Sequence, residues 1–286
     1  MLELLDITKV YKGQKRAVDG LTLRLEPGLI GLLGPNGAGK SSLLRIAATV
    51  TRPTSGQVRF EGRDAVAHPD QLRRALGYLP QDFGVYPNLS AVEFLTYLAA
   101  VKGLSSRSAR ARIPELLELV NLTHAAKRAL GGYSGGMLRR VGIAQTLLGD
   151  PRVVIVDEPT AGLDPEERVR FRNILSDLAA TRVVLLSTHI VSDVESVAGR
   201  IAVVAGGRVR FDGAPADLLS SVAGRVWEAT VPVEHAAGLQ QRLLTTRAVR
   251  TPQGVQLRIL ALERPLPDAQ PVPPELEDAY VGAVHR

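Results

Sequence analysis

An α/β fold with a largely parallel sheet is what this sequence predicts, and three observations predict it. Short apolar runs alternate with helix-compatible stretches across residues 29–204. A Gly-rich loop, Gly34 to Ser41, joins one such run to a helical stretch. A second apolar run, residues 153–156, ends in Asp157 and Glu158, which puts two carboxylates at a strand's C-terminal end, at the sheet edge.

Taken in order, residues 29–33 read as a buried strand and residues 39–50 as a helix. Residues 57–62 form a strand and a Gly turn, and the strand at residues 76–81 is stopped by Pro80. Over residues 89–130 the apolar spacing becomes helical, through Val92, Leu95, Leu98, Ala99, Leu116, Leu117 and Val120, with Asn88 and Ser90 as caps. Alternation then resumes. Strands are expected at residues 153–156, 183–186 and 201–204, and helices at 165–179 and 190–197. Gly206 and Gly207 make a two-residue hairpin into residues 209–211. After about Ser221 a smaller unit begins, with strands at 226–233 and 255–260 around a helix at 235–244. A proline-rich connector at 265–274 precedes a final helix at 274–284. The expected division is a main domain at 1–221, holding a helical subdomain at about 84–150, and a small α+β extension at 222–286.

Composition narrows the class. With 286 residues, 45% hydrophobic and 22% charged, the chain can bury a sizeable core. It has no cysteine, so neither disulfides nor a thiolate metal site are expected, which fits a cytoplasmic protein. Acids near the N-terminus and no apolar core after them argue against a signal peptide, and no run of about 20 apolar residues is available to span a membrane. The net charge of +6 can reflect attraction to an anionic surface, or a general preference for arginine; the charges are scattered rather than clustered.

The chemistry lies in the loop Gly34-Pro35-Asn36-Gly37-Ala38-Gly39-Lys40-Ser41. Such a loop exposes backbone N–H groups to a phosphate chain, and the helix N-terminus adds its dipole. Gly34, Gly37 and Gly39 give the loop its freedom, Lys40 is a point charge for the terminal phosphates, and Ser41 offers a hydroxyl to magnesium. Asp157 is suited to hold magnesium through water, and Glu158 to polarise an attacking water. Ser134-Gly135-Gly136 opens another helix and makes a second anion-binding terminus.

With these motifs the chain resembles the nucleotide-binding subunit of ABC transporters over residues 1 to about 220. Tyr133-Ser134-Gly135-Gly136-Met137 is similar to that family's signature motif, Gln81 to its Q-loop glutamine, Ala161-Gly162-Leu163-Asp164 to its D-loop and His189 to its switch histidine. Tyr11 sits where the family stacks an aromatic ring on adenine. The resemblance implies a P-loop NTPase core of the ABC ATPase kind, with antiparallel N-terminal strands and a helical subdomain. It implies ATP and Mg2+ as cofactors. Tyr11, Gly34, Pro35, Asn36, Gly37, Ala38, Gly39, Lys40, Ser41, Ser42 and Gln81 would bind nucleotide, joined by Ser134, Gly135, Gly136 and Asp164. Ser41, Gln81 and Asp157 would serve the metal, and Glu158, His189 and Lys40 the catalysis.

The resemblance also implies a head-to-tail dimer, with a second copy or a different ABC chain, in which the signature of one subunit closes over ATP held by the other. The family's usual leucine and glutamine around Ser-Gly-Gly are here Tyr133 and Met137. Methionine followed by Leu138-Arg139-Arg140 is similar to the export-type branch, which pairs with a separate transmembrane permease, and the ending Leu276 to Val281 is similar to that branch's C-terminal extension. A Mg-dependent ATPase at the cytoplasmic face of the membrane is expected, docking through the block after Gln81 that includes Asp82, Phe83, Gly84, Val85 and Tyr86. The alternative is a soluble ABC ATPase acting on ribosomes or nucleic acid. The compact helical block and the lack of a coiled-coil or zinc insertion favour the transporter, and no specific nucleic acid is expected.

Overall fold

The computed structural model describes residues 1–160 and 162–285. The chain opens with β1 (Leu2–Val10), β2 (Arg16–Leu25), β3 (Gly28–Leu33) and helix α1 (Lys40–Ala47). Then come β4 (Ser55–Phe60), β5 (Arg63–Asp64), α2 (Asp70–Ala75) and β6 (Leu76–Leu79). Three helices follow, α3 (Ala91–Val101), α4 (Ser106–Leu119) and α5 (Gly135–Leu147). The chain returns to alternation through β7 (Val153–Asp157), α6 (Pro165–Ala179), β8 (Val183–Thr188), α7 (Ser192–Glu195), β9 (Arg200–Ala205) and β10 (Arg208–Gly213). It finishes with α8 (Pro215–Ser220), β11 (Val226–Val231), α9 (Val233–Arg242), β12 (Thr245–Thr251), β13 (Gly254–Leu260), β14 (Gln270–Pro271) and α10 (Leu276–Val284).

The central sheet runs β10-β9-β3-β8-β7-β6. All its pairs are parallel except β9 with β10, which the Gly206-Gly207 hairpin joins. β3 and β7 therefore flank β8 and end at the same edge of the sheet, and this places the Gly-rich loop and the two carboxylates there. Alternate residues of each strand feed opposite cores, as a two-residue period requires. Val154, Val156, Val184 and Leu186 join the helices α3 to α6 on one side. Val153, Ile155, Val183 and Leu185 face α1, α2 and the antiparallel sheet β2-β1-β4-β5 on the other. The expected α/β core, antiparallel N-terminal strands and helical block are all present.

Some elements differ from expectation. Helix α1 stops at Ala47, because Thr49 turns left-handed at φ 55°. The long helical block is broken where Gly103 takes φ 75°, separating α3 from α4. Ser90 caps α3 in a reciprocal capping box with Glu93, and Asn88 does not cap it. The helix expected at 190–197 shrinks to α7, extended at each end only by turn bonds such as Ala198 N to Val194 O (2.8 Å). β12 is an edge strand whose central residues are exposed on both faces, so no alternation announced it.

The last 65 residues of the described chain, 221–285, build the sheet β12-β13-β11-β14 over a small core of Val231, Ala236, Val255, Leu257 and Ile259. Helix α10 bridges outward. Leu276, Ala279 and Ala283 bury in the large core with Val222 and Leu260, and buried Arg258 ties the sheet to Asp278 (2.9 Å).

Candidate functional site

The Gly-rich loop leaves β3 at Leu33 and enters α1 at Lys40. Gly39 is required by its backbone. It takes φ 103°, and a Cβ there would lie 2.1 Å from the Ala17 carbonyl oxygen. Gly39 caps α1 without any side-chain acceptor, so the first-turn N–H groups remain available to an anion. Lys40 is buried, and its Nζ donates to the carbonyls of Gly34 (2.5 Å) and Pro35 (3.3 Å). Burial pushes its pKa below the ordinary lysine value, against the opposing charges of Glu158 and Asp157.

Strand β7 is buried throughout and delivers Asp157 and Glu158 beside this loop. Glu158 Oε1 lies 3.9 Å from Lys40 Nζ, and Oε2 lies 2.9 Å from His189 Nδ1. His189 follows β8, the neighbouring parallel strand, so the sheet itself sets this contact. Glu158 has left-handed backbone, φ 48°. For a side chain of this size such a conformation costs on the order of 1–3 kcal/mol and persists only where surrounding bonds enforce it. Here Glu158 N donates to Ser187 O (2.9 Å) from β8, and its carbonyl accepts from Arg139.

Asp157 Oδ1 is buried with no hydrogen-bond partner. An orphaned carboxylate oxygen next to a phosphate loop fits a hard cation. Ser41 and Gln81 line the cavity with oxygen-bearing side chains of the kind magnesium prefers, and Asp157 lies beneath its lining. Among the described residues no group of three or more His, Cys, Asp or Glu converges as a metal cage.

A cavity of about 540 Å³ opens over these groups. It is lined by Tyr11, Pro35, Asn36, Gly37, Ala38, Gly39, Lys40, Ser41, Ser42, Gln81, Glu158 and His189, all expected from sequence, and by Lys12, Lys15 and Ala17, which were not. Lys12 and Lys15 flank Gly13 and Gln14 just after Tyr11, and paired cations beside an aromatic residue were the signal for them. Tyr11 stands at the rim, 38% exposed, its hydroxyl 3.2 Å from Ser42 Oγ. The cavity thus gathers Tyr11, whose ring carries Lys9 Nζ 5.2 Å from its centroid, the loop and Lys40, and the Glu158–His189 pair.

Ser134, Gly135, Gly136 and Asp164 do not line this cavity. Ser134 caps α5, accepting from Met137 N (3.2 Å), and is exposed together with Gly135. Asp164 caps α6, accepting from Glu167 N (2.9 Å). Gly136 packs beside Gly162 and Leu163, so the two motifs form one surface; Ala161 lies outside the described residues. Both departures in the signature are accommodated. Tyr133 is buried and donates to Ala125 O (2.7 Å), and the Arg128 guanidinium covers its ring and reaches Met137 Sδ (3.3 Å).

Two further features had no clear mark in the sequence. Thr160 donates to Asp193 (2.5 Å), both fully buried, linking the turn after Glu158 to helix α7 beyond His189. Arg139, a buried cation on α5, reaches the same turn.

A strand, a glycine loop over a helix N-terminus, and a parallel strand of the same sheet ending in carboxylates define a P-loop nucleotide-binding protein. A profile of the ABC transporter family matches residues 18–161. The daunorubicin/doxorubicin resistance ATP-binding protein DrrA of Streptomyces peucetius is 39% identical over 246 residues, covering 85% of this chain and 74% of that protein. A Nod factor export ATP-binding protein I of Cupriavidus metallidurans is 37% identical over 226 residues, 78% of this chain and 74% of its own length. Among solved structures, a dimeric ATP-binding cassette in a post-hydrolysis state with ADP and Pi superposes with a TM-score of 0.69 at 27% identity, over 75% of this chain and 98% of that one. The chain belongs to the ABC transporter family, as an ATP-binding subunit.

Proposed function

We propose that this chain hydrolyses ATP with Mg2+ and couples that reaction to export through a separate transmembrane permease. The observation that carries the reading is Glu158, held between Lys40 at 3.9 Å and His189 at 2.9 Å at one end of the cavity. A carboxylate so placed orients a water and accepts its proton, with His189 fixing the carboxylate from the far side. Lys40 is the one cation inside the loop and offsets charge on the terminal phosphates. Ser41, Gln81 and Asp157 are the residues to hold magnesium, which when bound neutralises charge developing on the transferred phosphoryl group. Tyr11 gives the base a stacking face, worth about 1–3 kcal/mol in comparable contacts.

The surface of exposed Ser134, Gly135 and Asp164 and half-buried Gly136 supports a dimer in which it closes over ATP on a partner cassette, of the same or a related chain. The solved relative with ADP and Pi is itself dimeric. A groove of about 390 Å³ beside the segment after Gln81 supports permease docking. It is lined by Val85, Tyr86, Phe94, Tyr97, Leu98 and Val101, with Tyr86 and Tyr97 in edge contact at 5.6 Å. Tyr86, Tyr97 and Val101 are large and exposed, a combination typical of interaction surfaces. No described helix is long and apolar enough to cross a membrane; in this reading the permease provides the attachment to the cytoplasmic face. The names of the relatives, a drug-resistance protein and a Nod factor exporter, favour export as the direction.

The test is an affinity capture with tagged Glu158→Gln protein and ATP from solubilised native membranes. Recovery of a polytopic membrane protein is the expected result. Recovery of ribosomes or nucleic acid alone would replace the transporter reading with that of a soluble ABC ATPase.

A further inference from the structure

Arg139 lies five residues after Ser134, on the buried face of α5. A guanidinium carries five N–H donors. All of them meet backbone carbonyls. Nε donates to Pro159 O (3.0 Å), one terminal nitrogen to Pro80 O (3.3 Å) and Gln81 O (2.7 Å), and the other to Asp157 O (2.7 Å) and Glu158 O. Among the described residues no carboxylate forms an ion pair with it. Burial lowers its pKa, opposed by the more distant charges of Asp157, Asp82 and Glu158. Burying a cation for five neutral acceptors is an expensive way to fill space, and a methionine or leucine would fill it without that penalty.

What the fork joins is specific. Pro80 and Gln81 follow directly on the edge strand β6, and Asp157 to Pro159 lead out of β7. Within the second segment sits the left-handed Glu158, whose carbonyl is one of the five acceptors. The helix that carries the fork begins at the exposed Ser134 surface. It also packs closely on the segment after Gln81, since a Cβ on Gly142 would lie 2.7 Å from the Phe83 ring. Arg140, the next residue, faces elsewhere, to Glu167 (3.2 Å) and the carbonyl of Asn121 (3.2 Å).

We propose that Arg139 is a positioning residue for hydrolysis: its five-donor fork holds the Gln81 segment, the Glu158 turn and helix α5 as one unit and so sets the angle of the Glu158 carboxylate. It does not line the cavity. Its effect reaches the reaction through Glu158, and a shift in that helix moves the carboxylate with it. This inference rests on the hydrolytic reading given above.

The experiment compares full-length wild type with Arg139→Lys, Arg139→Gln and Arg140→Lys in steady-state ATP hydrolysis with magnesium. It is paired with the binding of a fluorescent ATP analogue and with thermal melting. Lysine keeps the charge but has no planar fork. Both Arg139 variants are expected to lose kcat by about 10- to 100-fold, while KM and analogue affinity stay within about two-fold. Arg140→Lys is expected to leave kcat within about two-fold. Equal kcat in wild type and Arg139→Lys, or equal losses in Arg139→Lys and Arg140→Lys, overturns the proposal. So does analogue affinity falling in step with kcat. If Arg139→Gln does not fold, Arg139→Lys decides alone. A wild type that binds ATP without hydrolysing it would instead overturn the hydrolytic reading.

Discussion

This chain carries two glycine-led helix N-termini, and they are built differently. At α1 the cap is Gly39, which offers no side-chain acceptor, and the helix points into a cavity that already holds Lys40, Glu158 and His189. At α5 the cap is Ser134, whose hydroxyl already accepts from Met137 N, and the terminus opens on the protein surface beside Gly162 and Asp164. Both offer a positive dipole end to an anion. Only the first has a carboxylate placed to act on one. The difference teaches that two glycine-led helix N-termini differ in what surrounds them: α1 faces a cavity that gathers a cation, a carboxylate and an imidazole, and α5 faces an open surface.

The comparison breaks first at Glu158. Changing it to Gln keeps the shape and removes the base, so turnover should fall by about 10²- to 10⁴-fold while ATP affinity stays within about two-fold. Single-turnover hydrolysis and equilibrium binding measure the two halves of that statement. Near-normal turnover would mean that the carboxylate at α1 is not the distinguishing feature. The next largest effect belongs to α5. Ser134→Arg puts bulk and charge on the exposed terminus, and in the Glu158→Gln background it should abolish the ATP-dependent dimer seen by size-exclusion chromatography. Monomer affinity for ATP should remain. A surviving dimer would show that this surface is not the closing face. Third, Gly39→Ala tests the α1 cap by itself. Its left-handed backbone and the nearby Ala17 carbonyl leave no room for a methyl, so stability should drop by more than about 1 kcal/mol in denaturant melts, with nucleotide binding weakened alongside.

Legibility from sequence followed the same division. Groups acting within one contiguous motif can be read directly, because the spacing of Gly34, Gly37, Gly39, Lys40 and Ser41 is itself the geometry of a phosphate cradle. The strand end at Asp157 and Glu158 is legible for a similar reason, since four apolar residues fix where the carboxylates emerge. Groups defined by contacts across the sheet are not. Nothing near Arg139 in sequence says that its acceptors come from residues 80–81 and 157–159. The only local hint is a charge placed three, four and seven residues before the buried Gly142, Ile143 and Thr146, on the same helix face. Thr160 and Asp193 are 33 residues apart and read separately as ordinary polar residues. β12 escaped because an edge strand exposed on both faces carries no period, and α7 was overextended because turn bonds at both ends mimic helical spacing.

The smallest effect tests what the α1 site costs the fold. Lys40 is only 6% exposed, and burial lowers its pKa from 10.5. Between that lowered value and 10.5 the unfolded chain holds more protons than the folded one, so stability rises with pH across the window. Below it the ammonium is charged in both states and the folded protein bears the full penalty of burying it. Lys40→Met keeps the length of the side chain and removes the charge. At neutral pH the ligand-free variant should gain about 1 kcal/mol, as substitutions that relieve functional strain commonly do. That corresponds to a Tm rise of roughly 2–4 °C for a domain of this size. The gain should shrink as pH approaches 10.5. ATP at about 100 times its Kd adds about 2.7 kcal/mol to a protein that binds it, and this increment should vanish in the variant. A fall in Tm would show instead that the bonds from Lys40 to Gly34, Pro35 and Glu158 outweigh its desolvation, so that the cradle at α1 holds itself together as well as its ligand.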